Sequence, residues 1–201
     1  MTSGSPGRPL TSISLIGLPG GGKSTVGRHL ARSLGLRFTD SDAEIEKVVG
    51  CSIRAFFERE GEARFRDIEQ QALTTLFEQG VADLVLATGG GAVLREANRK
   101  ALHAHSTVIY LRSTPEELFR RLRHDRQRPL LQGRDPLSKL RELYHERDPL
   151  YRRTAHFIIE TGRPSVPMLV NMILMQLELA GLVDPARVPF PVGPAPPPTA
   201  E

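Results

Sequence analysis

Cys51 is the only cysteine among 201 residues, so neither an internal disulfide nor a cysteine-based metal site can be built. Its side chain reads as a small packed residue rather than a reactive one. No apolar run approaches the ~18 residues that a membrane-spanning helix needs, and residues 1–9 hold no apolar segment of the signal-peptide kind. The expected location is therefore cytoplasmic, without a membrane partner. Internal repeats and tandem periods are absent, which excludes solenoid architectures. What remains is a chain long enough for one domain with an ordinary core, and its 39% hydrophobic content suits a globular protein.

Gly17-Leu18-Pro19-Gly20-Gly21-Gly22-Lys23-Ser24 satisfies the phosphate-binding pattern G-x-x-x-x-G-K-[ST], and the strand-like run Ile13-Ser14-Leu15-Ile16 precedes it directly. Glycines let successive backbone N–H groups turn inward around phosphates. Lys23 brings a point charge near the β and γ groups, and the Ser24 hydroxyl can ligate Mg²⁺. Val26, Leu30, Ala31 and Leu34 recur at helical spacing, so a helix over 23–34 points its N-terminus, and its dipole, at the loop. The ligand implied is a nucleoside triphosphate, ATP, with Mg²⁺.

Two further absences narrow the class. No Asn-Lys-x-Asp box for guanine occurs, and the buried run Leu84-Val85-Leu86-Ala87-Thr88 ends in three glycines instead of the metal-holding acid of many ATPases. Motor ATPases and regulatory GTPases are disfavoured on these grounds. The net charge of +4 is local: between Arg112 and Arg153 there are 12 Lys or Arg against 7 Asp or Glu. Arginines around transferring phosphates account for such a surplus. No aromatic residues interleave with them to stack bases, so nucleic acid is not the expected partner.

Periodicity gives strands at 13–17, near 38–39, and at 84–88, 107–111 and 156–160, with helices at 43–49, 52–60, 64–79, 95–104, 114–123 and 165–180. Alternating strands and helices predict an α/β fold: a parallel sheet with helices on both faces and ligands at the carboxyl ends of the strands. Residues 124–135 are polar, arginine-rich and broken by Pro129 and Gly133, which suits a mobile lid. The expected organisation is a flexible start at 1–11, a domain at 12–182 and a disordered tail at 183–201, where 7 of 19 residues are proline. The tail is assigned no catalytic role.

Acids for metal and substrate appear at Asp40-Ser41-Asp42, after the second strand and at the same sheet edge as the loop. Alternate positions at a strand end can aim one carboxylate at Mg²⁺ and the other at a substrate hydroxyl. Ser41-Asp42-Ala43-Glu44 also reads as a capping box, S-x-x-E, that would start the following helix and fix the backbone presenting Asp42.

Taken with Phe65-Arg66-Asp67-Ile68-Glu69, Gly89-Gly90-Gly91, Arg128-Pro129-Leu130-Leu131 and Pro149-Leu150-Tyr151-Arg152-Arg153, these motifs occur in an order and spacing that resemble the shikimate kinase family over about residues 12–179. The resemblance implies a five-stranded parallel sheet flanked by helices, of the P-loop nucleoside monophosphate kinase type with a mobile lid. It also implies transfer of a phosphoryl group from ATP to the 3-hydroxyl of shikimate, a step toward chorismate and the aromatic amino acids.

Residue roles follow from the resemblance. Gly20, Gly21, Gly22, Lys23, Ser24 and Thr25 would hold the nucleotide, with Arg128 reaching its phosphates from the lid and Arg121 lying beside the adenine, near residues 161–164. Ser24 and Asp40 would serve Mg²⁺. Asp42, Arg66, Gly89, Gly90, Gly91 and Arg152 match substrate-binding positions, and Lys23, Asp42 and Arg128 are the catalytic candidates. The chemistry agrees: a small carboxylate with three hydroxyls asks for guanidinium forks, here Arg66 and Arg152, an acceptor such as Asp42, and unobstructed backbone N–H groups. The expected partners are shikimate and ATP alone, with the protein a monomer. Two alternatives stay open at this point: another small-molecule P-loop kinase of the gluconate type, and a catalytically silent shikimate-sensing domain.

Overall fold

A computed structural model of the chain describes residues 12–79, 83–122 and 135–183. Five strands form one parallel sheet in the order β2-β3-β1-β4-β5. They are β1 (Ile13–Ile16), β2 (Arg37–Asp40), β3 (Leu84–Ala87), β4 (Thr107–Arg112) and β5 (Phe157–Glu160). Strand β1 lies between β3 and β4, with Leu15 opposite Ala87 on one side and Ile109 on the other. The helices are α1 (Lys23–Leu34), α2 (Ser41–Val49), α3 (Ile53–Glu78), α4 (Glu96–His105), α5 (Pro115–Leu122), α6 (Pro136–Thr154) and α7 (Val166–Leu179).

Alternation along the strands divides the core between the two sheet faces. Ile13 and Leu15 of β1 and Ile109 and Leu111 of β4 pack with Val26, Leu30 and Leu34 of α1 and with Leu169, Ile173 and Leu177 of α7. Ile16, Val108 and Tyr110 turn to the opposite face, against Leu73 of α3, Leu102 of α4, Leu118 of α5 and Leu140, Leu143 and Tyr151 of α6. Beside the sheet, Ile45, Phe56 and Phe65 tie α2 to α3 in a smaller cluster. The parallel sheet and the helices on both faces match the fold read from the sequence.

Four details differ from that reading or refine it. Helix α3 is bent at Gly61, whose φ of 81° and ψ of 167° lie outside the helical region; the break falls between the two helices expected at 52–60 and 64–79, and only glycine adopts such a conformation without strain. Helix α6, 19 residues long, covers a stretch for which periodicity gave no element. Asp135 starts it by accepting from the Ser138 N–H, with Pro136 in the first turn. The capping box at Ser41 is not formed: Asp40 is the N-cap of α2 and accepts from the Asp42 N–H at 3.1 Å. Finally, Val183, assigned to the tail, is 7% exposed and packs with the α1 and α7 core, so the folded unit reaches at least that residue. Of the expected lid at 124–135, residues 124–134, with Arg128, lie outside the described residues, as do 1–11 and 184–201. Among the described residues no helix is long and apolar enough to cross a membrane.

Candidate active site

Three of the motif segments meet at one edge of the sheet because each follows a strand's carboxyl end: the phosphate loop after β1, Asp40 and Asp42 at the end of β2, and Thr88 to Gly91 after β3. Two adjoining pockets occupy this edge and share Pro19, Asp42 and Gly90.

The first, about 540 Å³, is lined by Gly20, Gly22, Lys23, Ser24, Thr25, Asp40 and Asp42 among others. Gly22 is the N-cap of α1 with φ 88° and brings no side-chain cap, so the first-turn N–H groups face the loop. Lys23 is 8% exposed, and its ammonium donates to the carbonyls of Gly17 (2.8 Å) and Leu18 (3.0 Å), which holds the charge inside the loop. Ser24 Oγ donates to Asp40 Oδ2 at 2.5 Å. This clustering of hydroxyl and carboxylate oxygens is the hard donor set that Mg²⁺ prefers. Among the described residues no three His, Cys, Asp or Glu side chains group to hold a metal by themselves, so an ion here would be shared with phosphate oxygens. Gly21 is turned away, its N–H donating to the Leu18 carbonyl.

The second pocket, about 790 Å³, is lined by Asp42, Arg66, Glu69, Gly89, Gly90, Gly91, Arg147 and the apolar Ile53, Phe57 and Phe65. Helix α3 supplies Arg66 and Glu69, one turn apart, joined by an Arg66 Nη1 to Glu69 Oε2 bond of 2.7 Å. Arg66 also bonds Glu62 Oε1 through Nη2 at 2.9 Å and lies over the ring of Phe65. At Gly91 a Cβ atom would collide with both Nη atoms of Arg66, so only glycine lets this guanidinium lie against the loop. Ser41 Oγ accepts from the Gly89 N–H at 3.0 Å, which ties the β2 end to the glycine loop and explains why Ser41 is unavailable as a cap.

The electrostatics single out Asp42. Burial pushes its carboxyl up to about 6, against the opposing pull of Lys23, while Asp40, Glu69 and Glu46 raise it further. The value is that of a group able to take a proton near neutral pH. Burial likewise raises the Glu69 carboxyl, although Arg66 draws it down. Among the described residues Glu69 Oε1 is buried without a hydrogen-bond partner, and it lies 2.9 Å from where a Gly89 Cβ would be.

The structure thus gathers Lys23, Ser24, Asp40, Asp42, Arg66 and the triple glycine, but not every expected residue. Arg152 is exposed on the outer side of α6, its Nε donating to Asp148 Oδ2 at 2.6 Å, and it lines neither pocket. Arg147 of the same helix lines the second pocket instead; its Nη1 donates to the Gly90 carbonyl at 3.3 Å and its Nε is buried without a hydrogen-bond partner among the described residues. Arg147 and Tyr151, whose hydroxyl bonds the same carbonyl at 2.5 Å, are four residues apart and so share a helix face. That spacing, continuing from Leu140 and Leu143, was the signal by which the sequence could have yielded Arg147. Arg121 lies at Thr161, donating to its carbonyl and, at 3.4 Å, to its hydroxyl.

Comparison with known proteins points the same way. A family model described as shikimate kinase matches residues 19–178. The shikimate kinase of Paracidovorax citrulli is 59% identical over 179 residues, covering 89% of this chain and 98% of that protein. That of Burkholderia pseudomallei is 56% identical over 175 residues, covering 87% and 94%. Among solved structures, a shikimate kinase from Acinetobacter baumannii in complex with shikimate aligns with a TM-score of 0.78 at 47% identity, covering 85% of this chain and 94% of that one.

Proposed function

The chain belongs to the shikimate kinase family, and we infer from that membership and from the two joined pockets that it transfers the γ-phosphoryl group of ATP to the 3-hydroxyl of shikimate. The observation that carries this reading is the position of Asp42 in both linings, the phosphate loop on one side and a pocket lined by Arg54, Arg66 and Arg147 on the other. A donor phosphate and an acceptor hydroxyl would meet where a carboxylate with a pKa of about 6 is waiting.

The first-turn N–H groups of α1 and the Lys23 ammonium neutralise phosphate charge, which is most of what a loose, metaphosphate-like transition state asks of a protein. Ser24 and Asp40 are the residues that would hold Mg²⁺, which when bound neutralises charge on the phosphates. In the acceptor pocket Arg66 and Arg147 offer planar forks to the carboxylate, and the apolar wall of Ile53, Phe57 and Phe65 accepts the ring. Asp42 accepts the hydroxyl proton and orients the oxygen for attack. Arg121 and Arg128 are assigned to the nucleotide, the first beside the base and the second from the lid.

A coupled ADP-release assay with shikimate tests the reading, with gluconate as the competing acceptor. Shikimate-dependent turnover is the expected result; turnover with gluconate alone would replace it with the sugar-acid reading.

The correction on α6 supplies a second test. Arg147→Ala and Arg66→Ala are expected to weaken shikimate binding by ~2–5 kcal/mol, since each truncation also leaves the buried charges around it unpaired. Arg152→Ala should change shikimate affinity by less than about 1 kcal/mol through direct contact, because Arg152 lines neither pocket and its guanidinium is engaged with Asp148. Calorimetric titration of the three variants with shikimate decides between the two arginines of this helix.

A further inference from the structure

Pro149 stands inside α6, where it lacks the N–H that would bond the carbonyl one turn back and its ring crowds that carbonyl. The helix is therefore weakened within two residues of Arg147, the side chain whose direction matters most to the acceptor pocket. Side chains fasten the same turn from outside. Asp148, 13% exposed at its side chain, accepts from the buried Tyr110 hydroxyl (2.9 Å), Arg112 Nε (3.3 Å) and Arg152 Nε (2.6 Å). Tyr110 and Arg112 belong to β4, and Arg112 is itself fixed by Glu160 of β5 at 2.7 Å and by the Tyr144 hydroxyl. On the neighbouring face of the helix, the Tyr151 ring lies 4.8 Å from that of Tyr110, and its hydroxyl reaches the Gly90 carbonyl that Arg147 also contacts.

We infer that Asp148 is a positioning residue for acceptor binding: it clamps the proline-weakened turn of α6 to the ends of β4 and β5, and so aims Arg147 at the substrate carboxylate. The inference rests on the reading of the second pocket as the shikimate site. Asp148 does not line that pocket; it acts through its neighbour in the chain. The clamp is charged, which explains why it holds. Burial opposes ionisation of Asp148, but hydrogen bonds from Arg152 and Tyr110 outweigh it and keep the carboxyl below its ordinary value. Arg152, expected in the pocket, thereby acquires a different place as the outer arm of the clamp.

A double-mutant cycle on the full chain tests this. Asp148→Ala is expected to raise the KM for shikimate about tenfold while kcat moves less than about threefold and the KM for ATP stays unchanged; in an Arg147→Ala background the same substitution should add less than about twofold, because the residue it aims is gone. If Asp148→Ala does not fold, Asp148→Asn, which keeps the volume and gives up the charge, is put through the same cycle with a smaller expected rise. Equal effects of the Asp148 change in both backgrounds would overturn the inference, as would a parallel rise in the KM for ATP, which is what general loosening of the fold produces. If the wild-type protein turns over shikimate and the cycle is additive, the role of Asp148 fails alone. If the wild-type protein does not turn over shikimate, the reading of the pocket fails with it.

Discussion

A folded Lys23→Met protein is expected to phosphorylate shikimate at least about a hundredfold more slowly than the wild type, the loss typical of deleting one preorganised electrostatic group, ~2.7 kcal/mol or more. Methionine keeps most of the stem, which matters because Lys23 is 8% exposed and its methylenes are part of the loop's packing. The charge is what goes. With it go the two bonds to the Gly17 and Leu18 carbonyls, so a melting curve accompanies the kinetics and separates a loosened loop from a lost electrostatic effect. If the variant melts near the wild type and turns over near the wild-type rate, the phosphate loop is not the donor site and the kinase reading fails. Because the ammonium is aimed at charge that develops during transfer, kcat should fall further than ATP affinity.

The donor half of the site was legible in the sequence because its chemistry is written in consecutive residues. A strand, eight loop positions and a helix with Val26, Leu30 and Leu34 on one face leave little freedom for where Lys23 and Ser24 end up. The three central strands were legible for a similar reason: β1, β3 and β4, buried on both faces, read as short apolar runs between helical patterns. The β2 end shows where local reading stops. Ser41 and Asp40 are both good caps, and the choice between them was made by Gly89, whose N–H takes the Ser41 hydroxyl from 48 positions away.

Helix α6 hid for two reasons. Pro149 breaks the expected pattern, and the apolar stripe of Leu140, Leu143 and Tyr151 is thin against a strongly charged background. Missing the helix also hid the arginine that lines the pocket. Two arginines five residues apart point about 140° away from each other around a helix, so only one can face the pocket. Motif spacing names the segment, whereas helix phase, set here by Tyr151 against Tyr110 and Gly90, names the residue.

Asp42→Asn should produce the most specific loss. The amide preserves shape and can still accept a hydrogen bond from the acceptor hydroxyl, so shikimate affinity should change little, while turnover drops by ~10²–10⁴ as is typical for removal of a general base. The pH profile gives a sharper reading. Burial raises the Asp42 carboxyl to about 6, and a protonated carboxyl cannot take a proton. Wild-type kcat/KM for shikimate should therefore be full above this value and fall as the pH drops through it, and the residual activity of Asp42→Asn should lack that acidic limb. Asp40→Asn separates the neighbouring carboxylate. It can still cap α2, but it gives up the charge beside Ser24 Oγ; on the proposal that Asp40 serves Mg²⁺, added Mg²⁺ should restore part of its activity and none of that of Asp42→Asn. Equal recovery of both variants in a Mg²⁺ titration at saturating ATP and shikimate would show that the two carboxylates share one role, and an unchanged acidic limb in Asp42→Asn would move the proton acceptor to another group, with the buried Glu69 carboxyl next to be tested.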